Sequence, residues 1–131
     1  MPITLQTTSI SNSLTVNDLK RSVRQYTEGL GFKLEEEYQM EGKVAGVRLS
    51  AGESTLMLTQ DDFAKGRDRV KGIGMRMYIE TEQDLGPLAQ QARAAGLTVE
   101  GDPAPLPWGP MGFSLSDADG FKFTISAPGQ A

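Results

Sequence analysis

Residues 13–32, SLTVNDLKRSVRQYTEGLGF, and residues 77–97, MYIETEQDLGPLAQQARAAGL, follow one plan. Each opens with a short strand, turns through Asn17-Asp18-Leu19 or Gln83-Asp84-Leu85, and continues as a helix-spaced apolar stripe that closes on a glycine. Asp18 and Asp84 lie 66 positions apart, and Gly46 and Gly112 keep the same offset, as do Leu49 and Leu115. The period is about half of the 131-residue chain, so the repeat fills it. Each half is marginal by size alone, so the two must share a core. Function is expected between the copies, where two similar concave surfaces face one another.

Working outward from the first stretch, Leu19, Val23, Tyr26 and Leu30 form one buried helical stripe, and Gly31 supplies the left-handed residue that ends it. Phe32, Leu34 and Tyr38 resume at strand spacing. Glu41-Gly42-Lys43 reads as a hairpin turn, Val44 to Leu49 as the next strand, Ala51-Gly52-Glu53 as a second turn, and Thr55 to Thr59 as the last strand. The second copy repeats this order with Leu85, Leu88, Ala92 and Ala95 as its stripe. Pro87 falls in the first helical turn, whose amides lack intrahelical partners in any case. Asp102 to Pro110 holds four prolines and is expected as an extended loop. Met111 to Ser116 and Phe121 to Ser126 should pair around Asp117-Ala118-Asp119-Gly120, a strong turn signal. Together these predict an α+β fold of two tandem βαβββ modules, with a curved mixed sheet around a concave pocket. The expected organisation is a single domain over 1–131, with a first module at about 8–60, a linker at about 61–73 and a second module at about 74–128. The linker is rich in charge and is expected to be solvated, with a lid or dimer contact as the alternative that Phe63 keeps open.

Composition narrows the chemistry. Hydrophobic residues make up 38% and charged residues 23%, which suits a folded globular chain. No apolar run approaches the length of a membrane span, and the N-terminus has no signal-peptide pattern, so the expectation is a cytoplasmic protein that engages no membrane. The net charge of −4 argues against nucleic acid as a partner. Cys and His are both absent, which removes thiolate chemistry, the commonest transition-metal ligand and the commonest general base. Glu35-Glu36-Glu37 has no partners at metal-ligand spacing, and Gly72-Ile73-Gly74 lacks the residues of a phosphate-binding loop.

The order strand, Asp-Leu helix, Gly-Leu-Gly-Phe (Gly29 to Phe32) and three strands, given twice, resembles the vicinal oxygen chelate superfamily. That superfamily includes glyoxalase I, extradiol dioxygenases and bleomycin-binding resistance proteins. Leu14, Val16, Asp18, Leu19 and Tyr26 carry the resemblance in the first copy. Trp108, Gly109, Phe113 and the Asp117 to Gly120 turn carry it in the second. The resemblance implies four metal-ligand positions, usually His and Glu, which fall here on Ser11, Met57, Arg76 and Thr124. Ser and Thr are weak neutral ligands, Met is too soft for hard divalent ions, and Arg repels them. The chain is therefore expected to hold no metal and no cofactor. Arg76 faces either inward, needing a carboxylate, water or anionic ligand, or outward as a surface charge, since a one-residue slip reverses a strand side chain.

Closest to the bleomycin-resistance-like branch, where a Trp-Gly and a later Phe flank the ligand groove, the resemblance implies a metal-free protein that sequesters a small organic molecule, a form of antibiotic resistance. The ligand-binding set would be Met57, Arg76, Trp108 and Phe113, with no catalytic residue assigned. Trp108 equally suits a role sealing its loop over the core. That branch's glutamate before the Phe is absent, with Met111 and Gly112 in its place. Alternatives are a glyoxalase- or dioxygenase-like enzyme acting on a small oxygenated substrate without the His/Glu site, and an interaction protein without a pocket. Family members usually dimerise with pockets at or near the interface, so a homodimer is expected.

Overall fold

A computed structural model describes residues 2–129; Met1, Gln130 and Ala131, the ends of the expected 1–131 unit, lie outside the described residues. The first module comprises β1 (Asn12–Val16), α1 (Leu19–Arg24), β2 (Lys33–Met40), β3 (Lys43–Ala51) and β4 (Ser54–Gln60). The second comprises β5 (Met77–Glu80), α2 (Leu85–Ala94), β6 (Thr98–Pro105), β7 (Met111–Ser116) and β8 (Lys122–Ala127). The strands form two four-stranded mixed sheets, ordered β1-β4-β3-β2 and β5-β8-β7-β6. In each, the first strand pairs parallel with the last and the other pairs are antiparallel. The α+β tandem architecture read from the repeat is thus observed. No helix among the described residues is long and apolar enough to cross a membrane.

Local chemistry explains the elements. Asp18 and Asp84 cap their helices by accepting the amides of Arg21 and Gly86 at 3.2 and 3.3 Å. The first helix departs from expectation at its end, where Gln25–Gly29 widens into a π turn. Gly29 sits there because a Cβ would lie 2.7 Å from Leu97 Cδ1 and 3.0 Å from Ala95 Cβ, so the two modules meet at van der Waals distance.

Two further expectations are corrected. The four-proline stretch is regular at its start, since β6 runs through Pro103 to Pro105. Proline is admitted because β6 is an edge strand paired only with β7, and its register slips between Glu100 and Ala104. The segment joining the modules is not uniformly solvated either. Asp61 is buried and pairs with Lys71 at 2.8 Å and Arg69 at 3.2 Å, and the Lys71 side chain is only 4% exposed. Lys71 also donates to Asn17 Oδ1, which fastens the segment back onto the end of β1. A buried ammonium is retained here because a carboxylate and an amide oxygen both receive it.

One core serves both modules. Leu14, Val16 and Leu58 enter it from the first sheet, and Phe113, Phe123 and Ile125 from the second. Tyr26 joins them, with its ring edge-on to Phe32 at 5.9 Å and to Phe123 at 5.7 Å. Because alternate side chains of each strand enter this shared core, the polar faces of both sheets point away from it. Polar bonds reinforce the junction: Gln25 Nε2 donates to Gly96 O and Gln91 Nε2 to Gly29 O, both at 3.3 Å.

Candidate functional site

The polar face of the first sheet is a ladder of hydroxyls. Ser11 and Thr55 Oγ atoms lie 2.5 Å apart, Ser13 and Thr59 3.1 Å, and half-buried Met57 stands opposite Ser13 in the register. On the second sheet, β5 alternates Met77 and Ile79 toward the core with Tyr78 and Glu80 on the polar face. Arg76, just before β5, extends over that face and donates from Nη1 to Thr124 Oγ1 at 3.1 Å. Thr124 also hydrogen-bonds the Ser114 hydroxyl at 3.0 Å, so this buried side chain is satisfied on both sides. Of the two orientations open for Arg76, the structure shows a side chain that is exposed yet held by a hydroxyl, with no ion-pair partner among the described residues.

Trp108 is presented by a pinned turn. Gly109 N–H donates to Leu106 O at 2.9 Å, with Pro107 and Trp108 between, and Leu106 N–H donates to Pro110 O at 2.8 Å. Proline at the second position and glycine at the fourth suit such a turn. Leu106 anchors it over Gly112, where a Cβ would lie 2.5 Å from Leu106 Cδ1. Trp108 does not seal the core, being 59% exposed, and meets the 64% exposed Tyr78 edge-on at 5.9 Å and 75°. A depression of about 280 Å³ is lined by Tyr78, Glu80, Trp108 and Ser126. A wider groove of about 1050 Å³ has Thr8, Ile10, Phe32, Arg76, Met77 and Ile79 among its lining residues.

The sequence-derived set is therefore divided. Arg76 and Thr124 are joined directly on the second sheet, while Ser11 and Met57 belong to the polar face of the first. Phe113 is 2% exposed and belongs to the core, on the opposite side of β7 from Ser114 and hence from Arg76. Its parity with Leu115 carries that information in the sequence. Tyr78 and Glu80, not singled out from the sequence as binding residues, are the ones that line the depression with Trp108. Their signal is the alternation Arg76, Tyr78, Glu80 against Met77, Ile79.

A family model described as the Glyoxalase/Bleomycin resistance protein/Dioxygenase superfamily matches residues 6–125. The chain belongs to this superfamily. No curated protein matches the sequence. Solved structures share the superfamily fold at low identity. A hypothetical protein, SA1046, from S. aureus is 23% identical with a TM-score of 0.74, covering 93% of this chain and 95% of that one. TioX from Micromonospora sp. ML1 is 17% identical with a TM-score of 0.71, covering 93% and 99%. A structure from Burkholderia phytofirmans PsJN, described as a glyoxalase/bleomycin resistance protein/dioxygenase family enzyme, is 17% identical with a TM-score of 0.73, covering 90% and 96%.

The divalent metal associated with the glyoxalase and dioxygenase members of the superfamily does not suit these residues. Of the four side chains that the resemblance would set at ligand positions, one is a thioether and one a guanidinium hydrogen-bonded to the third, the Thr124 hydroxyl. No three His, Cys, Asp or Glu side chains among the described residues are grouped to hold an ion.

Proposed function

We propose that this superfamily member is a metal-free small-molecule binding protein that holds an aromatic ligand on the polar face of its second sheet, in the manner of the bleomycin-resistance branch. The observation that carries the proposal is the exposed Tyr78–Trp108 pair at 5.9 Å, with Arg76 two residues before Tyr78 and bonded to Thr124 of the neighbouring strand. Two large aromatic rings left in water, one of them on a pinned turn, offer planar surface at little conformational cost. Arg76 adds directed donors for a carbonyl or an acid. The Ser126 hydroxyl completes a face suited to orienting a molecule, with no nucleophile hydrogen-bonded to a base upon it among the described residues.

The test is a titration of purified protein with a panel of aromatic compounds, followed by the fluorescence of Trp108, the sole tryptophan. Saturable quenching that persists in EDTA is expected. Absence of response across the panel overturns the proposal, and stoichiometric metal in protein purified without chelator replaces it with the enzyme alternative.

A further inference from the structure

The polar face of β5 carries its charges in order. Arg76, Tyr78 and Glu80 share one side of the strand, so a cation, an aromatic ring and an anion succeed one another at two-residue steps. Four extended residue steps span about 13 Å between the Cα atoms of Arg76 and Glu80. The neighbouring strand repeats the polarity. Tyr78 lies opposite Thr124 and Glu80 opposite Ser126 in the parallel register, while Lys122, two residues before Thr124, shares their face at the Arg76 end. Lys122 and Glu80, like Arg76, make no ion pair among the described residues. Basic and acidic groups on one short strip therefore stand apart, separated by the Tyr78–Trp108 pair, with neither end neutralising the other.

We infer that the site takes a zwitterionic aromatic ligand, with its acid directed to Arg76 and Lys122, its ring against Tyr78 and Trp108, and its ammonium at Glu80. This rests on the proposed ligand-binding role and names the chemical class of the ligand. A purely cationic aromatic would leave Arg76 repelling one end, and a purely anionic one would set its charge against no partner at Glu80. The depression of about 280 Å³, bounded by Tyr78, Glu80, Trp108 and Ser126, has room for a single ring and its amine, while the acid extends along the strand toward Arg76.

Three probes of one ring separate the terms: 4-(aminomethyl)benzoate, benzylamine and benzoate, each titrated by calorimetry and by Trp108 fluorescence. The zwitterion is expected to bind about threefold to fivefold tighter than either singly charged probe, the range of partly solvated ion pairs. Glu80→Gln should weaken the zwitterion and benzylamine and spare benzoate; Arg76→Gln should weaken the zwitterion and benzoate and spare benzylamine. Both side chains are exposed, so the variants keep the fold. Equal affinity for the three probes, or both variants weakening all three alike, overturns the inference. If no probe binds while other aromatics quench Trp108, charge ordering is wrong and the binding site stands. If nothing quenches Trp108, the site itself falls.

Discussion

The Tyr26 hydroxyl donates a 2.6 Å hydrogen bond to Asp117 Oδ2 across 91 positions of sequence, joining the helix of the first module to the last turn of the second. Asp117 also accepts the amides of Phe121 and Asp119 at 2.9 Å, so one buried carboxylate both shapes its own turn and receives the phenol. Burial, reinforced by the Asp117 charge, pushes the Tyr26 phenol far above its ordinary value, which keeps it a donor throughout the working range. Burial pushes the Asp117 carboxyl up as well, opposed by the three hydrogen bonds it accepts. Beside it, Asp119 accepts the Asn17 amide at 3.0 Å.

Tyr26→Phe removes the donor and leaves a buried carboxylate short of one partner. The expected loss is about 1.5–3 kcal/mol, the range for a hydrogen bond to a charged group. Urea unfolding of the variant and parent checks this; an unchanged midpoint at equal slope would show the bond contributes nothing.

Acid should loosen the segment between the modules. The Lys71 ammonium, hydrogen-bonded to Asp61 and helped by the Phe63 amide, holds the Asp61 carboxyl down at about 2, below its ordinary 3.8. A folded-state value below the unfolded one gives stability that is fully present above pH 4 and is lost as pH falls through about 2. Asp61→Asn should be less stable than the parent at pH 7, with the gap closing between pH 4 and 2. Urea midpoints across that series test it, and a gap independent of pH would sink the assignment.

Gly72 lies against the final hairpin turn with φ +79, and a Cβ there would come within 2.3 Å of Gly120 O, a backbone atom that cannot swing aside. Gly72→Ala is expected to cost more than about 1 kcal/mol, since it combines a left-handed backbone with a clash. Gly66, also at positive φ but with nothing within 4 Å of where a Cβ would stand, is the control that separates the two causes. Equal losses at Gly66→Ala and Gly72→Ala in thermal unfolding would exclude the clash.

A homodimer is proposed because both polar faces point away from the core, and because Val70, Ile73 and Met75 are each exposed in the segment that leads into β5, an edge strand. Sedimentation at micromolar concentration should give about twice the 14.2 kDa chain mass. A single species at the chain mass would remove the dimer and leave the ligand face of one chain to act alone.

Much of the fold could be read in advance because its signals are local. The caps at Asp18 and Asp84, the left-handed Gly31 and the Asp117 to Gly120 turn each depend on a few neighbouring residues. The junction was hidden for the opposite reason. Tyr26 with Asp117, Asn17 with Asp119 and Lys71 with Asn17 are long-range polar contacts that periodicity does not encode. Four prolines outweighed strand pairing in the reading of Asp102–Pro110, since nothing local reveals that a strand lies at a sheet edge. In the candidate site, Arg76 and Trp108 stood out by chemistry alone, whereas Tyr78 and Glu80 needed the register of β5 on β8 to gain a role.

The alternation of β5 has an evolutionary consequence. Residues 77 and 79 answer to the shared core, while 76, 78 and 80 are exposed on the outer face. Selection can therefore rewrite the outer surface at every second codon of this strand without revisiting the codons between. If the proposed ligand site is correct, a scaffold so divided would exchange one small molecule for another through single substitutions, each tried at little risk to folding.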